Sequence, residues 1–220
     1  MSTATKKPTP RAASDRSSRR RRREEARTRV LRSALELAEH GPFRDLTVDE
    51  IARSAGLSRS AFYTHFRDKH DLLMAAFEEV AEELYRMAER WWHGEGPPAE
   101  LVREAIEGVV SVYAEQASVL RLATEVSTYD EEMRELWMGV SQRFIDATAK
   151  HIRSEQQAGL ISTTLEARTT AEALHWMTER SCYIYLGRGE RTPKKVVDGL
   201  APVWTAALYP GVIPAEQLKP

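Results

Sequence analysis

The stretch Thr47-Val-Asp-Glu-Ile-Ala-Arg-Ser-Ala-Gly-Leu-Ser-Arg-Ser-Ala-Phe-Tyr-Thr-His-Phe-Arg-Asp-Lys-His-Asp-Leu-Leu73 holds three helix starts in succession. Thr47 followed three positions later by Glu50 is a capping box, in which each side chain bonds the other residue's backbone N–H. The helix it opens is expected over about 48–55 and ends at Gly56. Ser58 caps the next helix, expected to run to about Phe66. Asp68, with Asp71 three residues on, opens a long helix through Leu72, Leu73, Ala76, Val80, Leu84, Met87 and Trp91, broken at Gly94, Gly96, Pro97 and Pro98. Ala55-Gly56-Leu57 gives the first two helices a tight join, since glycine tolerates left-handed backbone. Ala52 is small enough for a close crossing, so the pair reads as a helix-turn-helix. In its second member Phe62 and Phe66 lie four apart and, with Leu57, point inward. The opposite face carries Ser60, Tyr63, Thr64 and Arg67, with Arg59 in the first turn. These hydroxyl, phenol and guanidinium groups donate to phosphates and base edges. The helix starts at Thr47 and Asp68 offer backbone N–H groups to phosphate, and Lys69 is a cation whose cost at a helix start a phosphate would offset. The same spacing also fits a small helical head with a merely solvated polar face.

Upstream, residues 1–18 are rich in Ser, Thr, Pro, Ala and charge without periodicity and read as a flexible arm. Five arginines follow, Arg19–Arg23. Helical spacing then begins with Ala26, Val30, Ala34, Leu35, Leu37 and Ala38, predicting a helix over about 24–39 that stops at His40-Gly41-Pro42. Downstream of Pro98 every periodic segment is helical: 101–113, a short one over 119–126, one from Asp130 to near Gly159, 165–186, and one from Pro193 to Pro210-Gly211. No alternating strand pattern or internal repeat is present. The expected fold is all-α: an N-terminal three-helix helix-turn-helix head, then a C-terminal helical bundle of about six helices. The expected boundaries are a basic arm over 1–21, the helix-turn-helix domain over 22–70 and the helical bundle over 71–220.

Hydrophobic residues make up 42% of the 220 positions, enough for a buried core and too many for a wholly disordered chain. Apolar runs such as Leu72–Phe77 fall far short of the roughly 20 residues of a membrane span. No apolar stretch follows the early lysines, so the chain does not read as a secretory precursor. The lone Cys182 fits a reducing cytosol, and a cytoplasmic, nucleoid-associated protein is expected. The net charge of −1 conceals an asymmetry: residues 1–70 hold 17 Lys and Arg against 9 Asp and Glu, whereas residues 71–220 hold 15 against 24. A polyanionic partner is therefore expected at the front only, with Arg19–Arg23 along a minor groove or beside phosphates. A solvated basic tail is the alternative.

Residues 47–73 closely resemble the N-terminal domain of the TetR family of repressors. The Ala-Gly-Leu-Ser turn, the Phe-Tyr-x-His-Phe end of the recognition helix and the Asp-Lys-x-x-Leu-Leu start of the next helix carry the resemblance, over about 22–77. It implies a homodimer that binds a palindromic operator in double-stranded DNA and is released by a small ligand. Tyr63, His65 and Lys69 match family positions that grip phosphate. Arg59, Ser60 and Thr64 match variable positions that read or flank bases, and Thr47 and Ser58 complete the expected DNA-binding set. The C-terminal half is similar to one mycobacterial subgroup of that family, through Glu135-Leu-Trp137, Met177-Thr-Glu179-Arg180 with Tyr183, and Trp204 ahead of Leu208-Tyr209. That subgroup has a narrow lipophilic tunnel with asparagines at its polar spot. His175 and Thr178 stand at those positions here, a departure from the pattern.

In the acidic body, helices 101–113, 130–152 and 165–186 can enclose a pocket for a small hydrophobic or amphipathic ligand. Its candidate lining is Ile106, Val109, Val110 and Tyr113, then Trp137 and Phe144, then His175, Thr178, Glu179 and Tyr183, closed by Trp204. Taken singly, each also fits plain core. Glu179-Arg180 reads as an ion pair that can also anchor a ligand carboxylate. Ala167, Ala171, Leu174 and Ser181 form one stripe, and Val196, Leu200, Val203 and Ala207 another. The resemblance makes these two helices an isologous four-helix dimer interface; intramolecular core is the other reading. No phosphate-cradling glycine loop, His-Glu-x-x-His or metal-ligand spacing among histidines 40, 65, 70, 93, 151 and 175 is present. Cys182 reads as inert core, and Glu78-Glu79 and Glu131-Glu132 as solvated surface. No catalytic residue, metal or cofactor is therefore expected. Rival readings are a helical small-molecule-binding or scaffolding protein without operator recognition, and an enzyme using the apolar cavity.

Overall fold

Helix propensity and caps set the elements of a computed structural model that describes residues 10–211. α1 (Pro10–Ala38) starts far upstream of the expected Glu24, so residues 10–18 of the segment read as a flexible arm are helical. Proline is at home in a first turn, where its missing N–H costs nothing, and Ala and Arg are strong helix formers. Arg20 to Glu25 are all exposed, and Ala26 is buried. Residues 1–9 of the expected arm and 212–220 of the expected C-terminal domain lie outside the described residues.

A short 3-10 turn, Phe43–Asp45, precedes α2 (Val48–Ser54) and α3 (Arg59–Tyr63). It was not foreseen, because one buried Phe43 among polar neighbours leaves no periodicity. α4 (Lys69–His93) follows, with Asp68 Oδ1 accepting the Asp71 N–H at 2.8 Å. Then come α5 (Pro98–Glu115), α6 (Ala117–Val126), α7 (Glu131–Gln157), α8 (Ala167–Tyr185) and α9 (Pro193–Leu208). The described residues contain no strand. None of the helices is long and apolar enough to cross a membrane.

The chain divides between Leu73 and Met74 into two compact units. In the first, α1 packs on α2 and α2 on α3 around Val30, Ala34, Phe43, Ile51, Phe62 and Phe66. In the second, α5 packs on α9 and α7 on α8. Its core joins Trp91 and Trp92 of α4 to Val102, Ile106 and Val110 of α5, Ile145 and Ile152 of α7, and Leu200 and Trp204 of α9. Burying a side chain of this size contributes roughly 1.5–3 kcal/mol, so this core is what holds the helices of the second unit together.

Candidate DNA-binding surface and ligand cavity

Local chemistry presents α3. Thr47 Oγ1 accepts the Glu50 N–H at 3.2 Å, and Glu50 Oε2 accepts both the Thr47 N–H at 2.8 Å and its hydroxyl at 2.7 Å. These bonds hold the Glu50 carboxyl below its usual range. At the other end of α2, Gly56 has φ +69°. A side chain there would strain the backbone, and the turn lets Leu57 N–H bond Ala52 O at 2.8 Å. Ser58 Oγ accepts the Ala61 N–H at 3.1 Å and opens α3. Phe62 is wholly buried behind it, 5.7 Å from the Phe66 ring.

The helix is shorter than expected, ending at Tyr63 rather than Phe66. Thr64 donates its hydroxyl to Ala61 O at 2.7 Å, and the His65 N–H closes a tight turn on Phe62 O at 2.9 Å. The Arg67 N–H is taken by Asp71 Oδ2. Even so, Arg59, Ser60, Tyr63 and Thr64 are all exposed, Tyr63 at 45%. Arg59 bridges this surface, donating to Asp49 Oδ2 at 3.2 Å and to Tyr63 Oη at 3.3 Å. The hydroxyl and then the carboxylate stabilise its charged form.

Several expected contacts are already occupied within the chain. Lys69 donates to Phe43 O, Arg44 O and Leu46 O at 2.8, 2.6 and 2.7 Å. An ammonium has three protons, so these carbonyls take all of them, anchoring the 3-10 turn, and a phosphate at Lys69 would have to displace one. Thr47 is likewise spent on its box, and the Asp71 N–H on Asp68. His65 is half-buried. Its Nδ1 has no hydrogen-bond partner among the described residues, and burial, then Arg23 and Arg27, lower its pKa. A neutral ring cannot grip phosphate as a cation. Its backbone carbonyl instead accepts from Arg27, whose guanidinium lies 4.5 Å over Phe66. Arg44, in the unforeseen turn, is exposed and stands 4.0 Å from Asp45.

In the second unit a cavity of about 80 Å³ is walled from five helices. Of the expected lining, Ile106, Val109, Tyr113 and Phe144 are there, as are His175, Thr178, Glu179 and Trp204. α4 was missed as a wall, yet it supplies Leu84, Ala88, Trp91 and Trp92. Its apolar stripe was visible in the sequence, but the stripe does not say what it faces. A second chamber of about 40 Å³ shares Leu84, Tyr113, Phe144, His175 and Glu179 with the first, and there the expected Trp137 and Tyr183 lie. Val110 is corrected to core: it sits about 100° round the helix from Val109 and is wholly buried, beside Val197 of α9 rather than at the cavity.

Two wall tryptophans are tied. Trp204 Nε1 donates to Thr178 Oγ1 at 2.9 Å, and Trp91 Nε1 to Tyr209 Oη at 3.1 Å. Burial pushes His175 down to about 4, so its ring is neutral near pH 7. Burial raises Glu179, opposed by Arg180, whose Nε stands 3.8 Å away. Tyr113 is also driven well above its ordinary value by burial. Cys182 is pushed up to about 12 by burial and then by Glu179, so its thiol stays protonated.

The expected dimer stripes need correction. Ala167, Ala171, Leu174, Val196 and Leu200 are buried within this one chain, and Ala207 packs against the same core. Each helix has two small-residue stripes, and the more apolar one turns inward. Facing out are Ser181 and Ile184, both half-buried, and Val203, 47% exposed, beside the exposed Gly199 and Ala206.

Comparisons with known proteins match this architecture. The family described as "Bacterial regulatory proteins, tetR family" matches residues 30–76, and "Transcriptional regulator EthR, C-terminal domain" matches residues 102–210. The HTH-type transcriptional regulator EthR of Mycolicibacterium smegmatis is 30% identical, over 97% of this chain and 98% of that protein. The Mycobacterium tuberculosis EthR is 29% identical over 82% of this chain and 85% of its own length. Among solved structures, a putative TetR-family regulator from Syntrophomonas wolfei superposes with a TM-score of 0.71 at 16% identity, covering 84% of this chain and 95% of its own. NalD of Pseudomonas aeruginosa, the secondary repressor of the MexAB-OprM multidrug efflux pump, does so at 0.70 and 21%, covering 86% and 99%. Those two likenesses concern the fold. From the near full-length match and the helix-turn-helix geometry together, this chain belongs to the TetR family of bacterial transcriptional regulators.

Proposed function

We propose that the protein is a ligand-responsive transcriptional repressor, a homodimer that binds a palindromic operator and leaves it when a small apolar or amphipathic molecule enters the cavity. The observation that carries this is the exposed Arg59-Ser60-Tyr63-Thr64 surface on a capped helix backed by buried Phe62. Such a face offers donors to base edges and phosphates with little rearrangement. Residues 22–70 are the DNA-binding part, and residues 71–220 take the ligand and the partner subunit. The arginine block at the front of α1 adds charge for phosphates. The description of its relatives as transcriptional regulators, and of NalD as a repressor, favours the same reading. Two copies must offer their recognition helices roughly 34–36 Å apart, or a multiple, to meet successive major grooves. A ligand alters that only through unequal affinity for the two spacings.

The test is fluorescence anisotropy of the full chain against a duplex from its own upstream DNA and a shuffled duplex of equal length, from 50 to 300 mM salt. The reading expects a preference of at least about a hundredfold for the native duplex and affinity that falls steeply with salt. Equal affinity for both duplexes sinks operator recognition.

A further inference from the structure

Glu179 is an unusual wall for an apolar cavity. Its side chain is only 7% exposed. A carboxylate taken out of water is costly unless its charge is met. The ion-pair partner it has among the described residues is Arg180 at 3.8 Å, beyond hydrogen-bond range. That guanidinium is 57% exposed and lies 5.2 Å over the Tyr183 ring, so most of its charge is spent on solvent and an aromatic face. One turn earlier on α8, His175 lines both chambers, and its buried Nε2 has no hydrogen-bond partner among the described residues. The hydroxyl oxygen of Thr178 is taken by Trp204. Two acceptors therefore stand at this end of the cavity, the Glu179 carboxyl and His175 Nε2 when the ring proton sits on Nδ1, beside the hydroxyls of Tyr113 and Thr178.

Aromatic rings surround that end. Phe144 stacks on His175 with centroids 5.9 Å apart, and Trp91 meets Trp204 edge-on at 5.5 Å. Ring faces attract cations and repel anions. We infer that the cavity selects a lipophilic amine, its protonated nitrogen seated between the Glu179 carboxylate and His175 Nε2 and its apolar body lying against Trp91, Phe144 and Trp204. This rests on the reading of the cavity as the effector site and names the chemistry it accepts. Both chambers share Glu179 and His175, so the nitrogen sits at their junction and apolar groups extend either way. The chambers are small as they stand, below the roughly 150 Å³ that an engineered apolar cavity offers benzene. The amine therefore enters by turning wall side chains aside and merging the two spaces. Burial raises the Glu179 pKa; an ammonium stabilises its charged form, a fatty carboxylate opposes it as a like charge, and a neutral lipid gives that charge no partner.

The experiment is calorimetric titration of the full-length protein at pH 7.5 with three probes of one shape: 4-phenylbutylamine, 4-phenyl-1-butanol and 4-phenylbutanoate. The amine is expected to bind at least tenfold more tightly than the alcohol, with the carboxylate weakest. In Glu179→Gln the amine's advantage is expected to fall below threefold. If that variant fails to fold by circular dichroism, the wild-type ranking decides alone. An alcohol that binds as tightly as the amine overturns the inference and leaves the cavity as an effector site. An amine preference that survives in folded Glu179→Gln overturns the role of the carboxylate. Binding of none of the three overturns both the inference and the effector-site reading.

Discussion

Lys69 shows that residue type alone does not say which partners a side chain already holds. A lysine at a helix start reads as a phosphate ligand, yet its three protons are spent on carbonyls of the 3-10 turn. Burial lowers its pKa, with Asp45 and Asp68 opposing. Lys69→Met is expected to destabilise the protein by about 2 kcal/mol, because two part-buried carbonyls and one exposed carbonyl lose a charged donor. Urea denaturation checks this; unchanged stability with weaker DNA binding would restore the phosphate role. Tyr63, by contrast, is what its type suggested, an exposed phenol with Arg59 donating to it. Tyr63→Ala is expected to weaken binding about tenfold on every duplex, whereas Arg59→Ala changes which duplex is preferred. Anisotropy against native and shuffled duplexes separates the two outcomes. Glu179 and His175 were legible as candidates from spacing, but their lack of compensating partners was not.

At the scale of elements, caps were the most readable signal, because a cap and the amides it serves lie within a few residues of each other. The Thr47 box and the Ser58 and Asp130 caps all formed where the sequence placed them. α8 is capped by Glu166, which accepts the Thr169 hydroxyl at 2.7 Å and the Thr169 and Arg168 N–H groups at 2.6 and 3.0 Å, and these bonds bring its carboxyl down to about 2. A lowered carboxyl stabilises the fold above its unfolded value near 4.5, and that contribution is lost as pH falls from 4.5 toward 2. Thermal melts of wild type and Glu166→Gln should therefore differ at pH 5.5 and converge toward pH 3. A constant difference would assign the effect to packing. Close approach of helices was harder to foresee. A Cβ on Gly108 of α5 would stand 2.8–3.0 Å from Met87 Sδ, Cβ and Cγ. Those atoms include the near end of the side chain, so the clash outweighs the roughly 1 kcal/mol that helix propensity returns. Gly108→Ala is expected to cost about 1–2 kcal/mol net, measured by chemical denaturation; stabilisation would show that α4 and α5 can part freely.

For the whole molecule, the decisive distinction is between apolar stripes that bury inside one chain and stripes left for another. Leu200 is 5% exposed and Val203 47%. Val203→Asp is expected to shift the proposed dimer to monomer and abolish tight operator binding while leaving helix content intact. Light scattering on a sizing column and circular dichroism check this; a dimer that persists would place the interface elsewhere. Period and caps determined by themselves that the chain is all-helical, where most helices begin, and which turn presents the recognition face, because those signals act over a few residues. The front of α1 escaped, since a polar helix leaves no apolar period to read. Only the tertiary structure decided which of two similar stripes on α8 and α9 turns inward, that α4 walls the cavity, and that Lys69 is spent on backbone carbonyls. Each of those outcomes depends on partners dozens of residues away in the chain, and packing and burial select them by summing contacts that no local pattern records.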